Sequence, residues 1–284
     1  MKKTTTKHNK FVTVLSTVCI LISIGIFSYP AISNISNQFS NMNRNVAYTD
    51  DVKTMSEQEK KEMIDKAREY NKSLGEPLEY GSAFDYKRTE DYTSIFNFND
   101  GQICSVEIPK INVNLPVFHG TDDRMLQSGA IHLPNTSFPI GEIGTHSVIS
   151  AHTAFPGKVF FDRLTELEVG DFFYIELLDD MFKYEVTEVN IVEPTDTSKL
   201  QVDHNKELVT LSTCYPYAVN SHRLLVRGER VKESKDIAEE EINSVGFEFD
   251  FSSLFFVPIP IALLLLILIL SKRRRKKGET NNDS

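Results

Sequence analysis

The chain has 284 residues, 40% of them hydrophobic and 25% charged, which suits one substantial globular domain with appendages. Its net charge of −9 is uneven: residues 1–10 carry four lysines, residues 272–284 carry six Lys/Arg against two acids, and 21 basic against 38 acidic residues lie between. That acidic middle argues against a nucleic-acid partner, which needs clustered positive charge, while Cys19, Cys104 and Cys214 are too few for a disulfide scaffold and lack the paired spacing of a zinc site.

Residues 1–10 read as a cytoplasmic tail, and the stretch 11–32, "FVTVLSTVCILISIGIFSYPAI", contains no charge. At about 1.5 Å per residue it spans a hydrocarbon core of roughly 30 Å. A cleaved signal peptide is the competing reading. It is disfavoured because the apolar run exceeds an h-region of roughly 7–15 residues and no A-x-A-like site follows. Residues 33–54, rich in Asn and Ser, read as an extracellular tether. A helix is expected next: Ser56 and Glu59 form a capping box, Met63, Ala67, Tyr70 and Leu74 share one face, and Gly75 and Pro77 end the run. Residues 76–100 are aperiodic but carry six aromatics, so they need the core or a groove to lie against.

From 101 to 232 short strand-like runs dominate, separated by Gly, Pro, Asn and Asp clusters. They are "ICSVEI", "VNLPVF", "HSVIS", "FFYIEL", "FKYEVTEVNIV", "ELVTLSTC" and "RLLVRGERV", and "VFFDRLTEL" adds a helical turn. This is the pattern of one closed or nearly closed β domain. Residues 233–250 are a linker, 251–271 a second charge-free span with Pro258 and Pro260 at its outer end, and 272–284 a basic tail. Both basic flanks lie on the terminal sides, so the positive-inside rule places both termini in the cytoplasm and the domain outside, on a two-pass membrane protein. The tail also resembles a cell-wall sorting signal, but "LPNTS" at 133–137 lies over a hundred residues too early and reads as a strand and turn.

Within the domain, "TLSTCYPYAVNSHRLLVRG" at 210–228 is a hairpin in which Cys214 ends one strand and Arg223 begins the next. Alternation turns Val209, Leu211, Leu224 and Val226 to the core and leaves Cys214 and Arg223 on the other face. A free thiol near pKa 8.5 is mostly protonated at neutral pH. An adjacent guanidinium favours the thiolate and can donate to the oxyanion of acyl transfer. The bland alternatives are a small core cysteine or a disulfide between Cys214 and Cys104, which extracellular exposure permits. An acid/base is still required. His119, His132, His146, His152, His204 and His222 all lie in the domain, and pattern alone leaves the choice among them open.

"TLSTC" with the following "PY", "NSHRLLVRGER", "IPKINVNLPVFHGT" and "GTHSVISAHTAFPGKVFFDRL" together resemble the sortases, in particular the pilin-polymerising class C, over roughly 101–231. The resemblance implies a mainly β fold, a sortase-like eight-stranded closed β-barrel with short helices, carried here with an N-terminal helix and two transmembrane helices. It also implies Cys214 as nucleophile, His152 as acid/base and Arg223 as oxyanion or substrate stabiliser, with no metal or organic cofactor. The implied partners are pilin or surface proteins bearing LPxTG-like sorting signals, and an amine acceptor. That acceptor is a pilin lysine in pilus assembly or a cell-wall precursor amine in wall anchoring. A third possibility, from another class, is a non-catalytic surface adhesion module. The sequence departs from the class in three places. The usual "HRG" reads His152-Thr153-Ala154, and Tyr215 follows the cysteine. The class C lid with its Asp-Pro-aromatic motif has as its nearest counterpart Ser82, Ala83 and Phe84, or Asp85 and Tyr86 in a shifted register.

Overall fold

The structure, a computed structural model, describes residues 3–74, 90–99, 101–120, 123–232 and 262. The expected span 251–271, the linker 233–250, the basic tail and the lid residues Ser82, Ala83, Phe84, Asp85 and Tyr86 lie outside the described residues. The chain divides into two compact units, Met1–Ser36 with Phe249–Ser284, and Asn37–Glu248.

In the first unit, apart from residue 262, the described chain is the N-terminal part of α1, Lys3–Thr54. This helix is long and apolar enough to cross a membrane by length and composition, and large side chains such as Phe11, Ile22 and Phe27 are exposed along it.

In the second unit, residues 37–54, part of the Asn/Ser-rich stretch read as a tether, are helical and continue α1. Packing decides this against local propensity. Tyr48 and Val52, one turn apart on one face, enter the main apolar cluster, and Tyr48 Oη accepts a hydrogen bond of 2.7 Å from the backbone N–H of Leu178. The second helix, α2, Glu57–Ser73, starts at the expected capping box: Ser56 and Glu59 satisfy each other's backbone N–H groups. Its apolar face seats Met63, Ala67 and Tyr70 against the core. Asn71 fixes it further, donating to the Phe138 carbonyl at 3.1 Å and accepting from the Phe138 N–H at 2.8 Å.

The aromatic-rich segment does find something to lie against. Its described part holds a short helix, α3, Glu90–Ser94, and Tyr92, Phe96 and Phe98 are buried. Tyr92 Oη lies 3.0 Å from His132 Nδ1, and Tyr92 and His132 both stack with Phe138.

Eight strands close into a barrel. They are β1 Gln102–Ile108, β2 Val113–His119, β3 Ala130–His132, β4 Thr145–Ser150, β5 Phe172–Leu177, β6 Asp180–Val192, β7 Glu207–Tyr215 and β8 His222–Val231. Their order around the barrel is β1-β2-β3-β4-β7-β8-β6-β5. A single turn of helix, α4, Asp123–Leu126, precedes β3, and the helical turn anticipated in "VFFDRLTEL" is a 3₁₀ turn at Leu164–Glu166. Every second residue fills the interior: Val106 and Ile108, Leu115 and Val117, Phe173 and Ile175, Val209 and Leu211, and Leu224 and Val226. The β4–β7 pair is parallel and in the middle of the wall, with Thr145 beside Glu207 and Ser150 beside Ser212. That parallel pair carries the site.

Candidate active site

The β7–β8 hairpin sets the first two groups. Its register pairs Cys214 with Arg223 and Tyr215 with His222, so the Cα atoms of Cys214 and Arg223 stand about 5 Å apart and their side chains leave the same face. Six residues, 216–221, close the turn, two fewer than the sequence suggested, because Tyr215 and His222 extend the ladder. Both site residues are half-buried, and Arg223 Nη1 donates to the His222 carbonyl at 3.1 Å. Arg223 also pairs in register with Val192 of β6, so its backbone is held from both sides. All three cysteines are free. Cys104 faces the barrel interior, where burial raises its pKa, so no disulfide joins it to Cys214.

The face that Cys214 and Arg223 share lies opposite the barrel interior, as alternation suggested, and much of it is covered. Thr210, Ser212 and Leu225, on the same side, are buried. Leu225 and Val148 join a second apolar cluster with Phe118, Ile131, Leu133 and Leu200. The 3₁₀ turn Ser198–Leu200 contributes that last residue from the long β6–β7 connection. Cys214 and Arg223 therefore lie at the end of a covered apolar wall, where burial gives way to partial exposure.

The third residue arrives through the parallel pair. The Ala151 N–H donates to the Ser212 carbonyl at 3.1 Å, and Thr213 Oγ1 donates to the Ala151 carbonyl at 2.8 Å. One residue further along each chain stand His152 and Cys214. His152 is half-buried, and its ring lies on Phe155 with centroids 5.1 Å apart.

The other histidines have different surroundings. His119 is buried between the carbonyls of Gly101 (3.0 Å) and Ile95 (2.8 Å), and burial holds its pKa down. His132 is pushed down to about 3 by burial. His146 bonds to the Gln201 carbonyl and to Thr210 Oγ1, both at 2.8 Å, and burial pushes it down to about 4. These three imidazoles are neutral structural pieces at physiological pH. His222 is exposed, beside Ser221 Oγ at 2.9 Å, and points to the face opposite Arg223; His204 is exposed.

Two of the three departures fall among the described residues. Ala154 takes φ +58°, a left-handed conformation unfavourable for a side chain bearing Cβ. Tyr215 packs against the main apolar cluster, and the loop beyond it exposes Tyr217 and Val219. The lid residues lie outside the described residues. "LPNTS" follows β3, with Leu133 and Thr136 buried, so it is a structural turn. Sequence reasoning missed Phe155 and Asp162 around His152. No periodic signal marks them, because their contacts form only when the loop after β4 closes. Among the described residues no group of three His, Cys, Asp or Glu side chains could hold a metal ion.

A free thiol, an arginine paired with it in register across a hairpin, and a partly exposed histidine just beyond the neighbouring strand are compatible with a class of protein, the cysteine-dependent acyl transferases. The comparisons narrow the class. The family model for the Sortase domain matches residues 106–231. Sortase D of Bacillus subtilis is 35% identical over 140 residues, covering 48% of this chain and 68% of its own. Sortase A of Listeria monocytogenes is 28% identical over 186 residues, covering 58% and 82%. Among solved structures, sortase C-1 from Streptococcus pneumoniae superposes with a TM-score of 0.63 at 36% identity, over 68% of this chain and 100% of that one. Sortase C1 of GBS Pilus Island 1 gives 0.62 at 32%, over 69% and 94%. The chain belongs to the sortase family, and it is a cysteine transpeptidase with the class C sortases among its structural relatives.

Proposed function

We propose that the protein is a membrane-anchored, pilin-polymerising transpeptidase, with Cys214 as nucleophile, His152 as acid/base and Arg223 as oxyanion stabiliser. The Cys214 thiolate attacks the threonine carbonyl of an LPxTG-like signal, and the Arg223 guanidinium, fixed in charge, donates to the oxyanion that forms. Protonated His152 gives its proton to the departing glycine amine as the C–N bond breaks, leaving a thioacyl enzyme. An acceptor lysine amine then attacks that carbonyl, neutral His152 takes the amine proton, and the thiolate leaves as the isopeptide bond forms. The observation that carries this reading is the meeting of the two registers, Cys214 across from Arg223 and Ala151 bonded to Ser212.

A pilin lysine as acceptor is supported by the likeness to sortase C structures, one of which, from Streptococcus pneumoniae, is described in terms of pilin substrate specificity. Residues 251–271 would form the second span, both termini would be cytoplasmic, and Ser82, Ala83 and Phe84 would cover the groove as a lid. The test is incubation of the full chain in detergent with a pilin and its sorting peptide. Polymer with wild type and none with Cys214→Ala supports the proposal. Peptide hydrolysis without polymer favours a cell-wall precursor amine as acceptor. Activity that persists in Cys214→Ala removes the mechanism.

A further inference from the structure

The loop after β4 leaves His152 and returns through Phe161, whose N–H donates to the His152 carbonyl at 3.0 Å. Between these points the chain turns sharply, with Ala154 at φ +58° and Gly157 at φ +74°. For alanine, that left-handed conformation is strained, because Cβ crowds the following carbonyl oxygen. One side chain spans the turn. Asp162 Oδ1 accepts from the Ala154 N–H and Oδ2 accepts from the Phe160 N–H, both at 2.9 Å. Hydrogen bonds to an ionised carboxylate are the strong kind, and two on one group fix both arms of the loop at once. The clamped loop then presents the Phe155 ring to His152, while Phe160 packs edge-on against Phe155 at 6.1 Å. Lys158 closes the outside, with Nζ 5.7 Å from the centre of the Phe155 ring and 2.5 Å from the Gln127 carbonyl.

We propose that Asp162 is the positioning residue for His152: its carboxylate holds the strained Ala154 turn closed, so that Phe155 fixes the imidazole just beyond β4, the strand neighbouring that of Cys214. This rests on the reading of His152 as the acid/base. Asp162 acts through the loop and through Phe155. Without its carboxylate, two backbone N–H groups lose their acceptor, the left-handed alanine loses what offsets its strain, and the imidazole gains freedom it lacks in the folded loop. An imidazole out of place by about 1 Å is enough to lower turnover roughly 100-fold.

The test uses the full chain in detergent, as wild type, His152→Ala, Asp162→Ala, Asp162→Asn and the double variant Asp162→Ala with Ala154→Gly. Three quantities are measured: iodoacetamide alkylation of Cys214 from pH 5 to 9, resolved by peptide mass spectrometry; hydrolysis of an LPETG peptide; and thermal unfolding. Asp162→Ala and Asp162→Asn should lower kcat roughly 10- to 100-fold with KM little changed, and move the alkylation pH profile toward that of His152→Ala. Ala154→Gly should recover part of both losses in the Asp162→Ala background, because glycine holds the turn without help. A wild-type alkylation profile in Asp162→Ala, alongside an altered one in His152→Ala, overturns the positioning role, whether or not the melting temperature falls. A wild-type profile in His152→Ala itself overturns the underlying assignment of the acid/base. The alkylation measurement stands even if LPETG is a poor substrate.

Discussion

Glu107 offers a quantitative check on the barrel wall. It lies on β1, paired in register with Asn114 of β2 and Tyr174 of β5, and Asn114 Nδ2 donates to its Oε2 over a long 3.4 Å. Burial, reinforced by the negative charge of Glu176, pushes its pKa up from 4.5 to about 7. Below pH 4.5 the carboxyl is protonated in both the folded and unfolded states and costs nothing. From 4.5 to 7 the unfolded chain releases the proton while the folded one keeps it, so stability falls as pH rises, and above 7 the full penalty applies. At about 1.4 kcal/mol per pKa unit the ceiling is roughly 3 kcal/mol. Solvent reaches part of the side chain, so screening reduces this to about 1–2 kcal/mol. Glu107→Gln keeps the shape and removes the charge. Denaturant unfolding of the full chain in detergent should show the variant more stable than wild type by that amount at pH 8 and equal to it at pH 4.5. The same difference at both pH values would refute an electrostatic origin.

Two further changes test the packing and the buried imidazoles. A Cβ on Gly228 would come within 2.5 Å of Phe173 Cε1 and 2.9 Å of Tyr184 Cβ, where those two rings stack with centroids 5.4 Å apart. Gly228→Ala should therefore cost about 1–3 kcal/mol in denaturant unfolding, and an unchanged midpoint would show that the stack can shift freely. His146 is neutral when folded, with its pKa held at about 4 by burial, so the unfolded chain alone takes up its proton as pH falls below about 6.5, and stability is lost progressively down to pH 4. Because Glu107 pulls the other way over much of this range, the comparison is between proteins. His146→Asn should lose less stability than wild type between pH 7 and 4.5 in melting experiments, and parallel curves would contradict the assignment.

Much of the β7–β8 hairpin was legible because its signal is local. Alternation in "ELVTLSTC" and "RLLVRGERV" fixed both strands and the Cys214–Arg223 pairing, since a closed barrel with one apolar interior tolerates only one register. Three kinds of feature were hidden. The short β3 has three residues and pairs parallel to β2, so it carries neither a long alternating run nor a hairpin turn. Residues 37–54 have Asn/Ser composition, and their helix is secured by Tyr48 and Val52 meeting strands far away in sequence. The outer cluster that covers the Cys214 face comes from β2, β3 and the β6–β7 connection, which alternation within β7 cannot foresee. The proposed acid/base was the hardest part to read: six histidines were candidates, and what sets His152 apart from the buried, carbonyl-bound His119, His132 and His146 is tertiary surroundings. The Asp162 clamp closes over eight residues of irregular loop and leaves no periodic trace.

The most direct test of the account is to trap the thioacyl intermediate. The full chain in detergent is mixed with an LPxTG-like sorting peptide without an amine acceptor, quenched in acid within the first turnover, and digested for mass spectrometry. The account predicts an adduct of the peptide truncated after its threonine, joined as a thioester to Cys214, formed by wild type, slowed strongly in His152→Ala and Arg223→Ala, and absent in Cys214→Ala. An adduct on another residue, or cleavage of the peptide by Cys214→Ala, would contradict it.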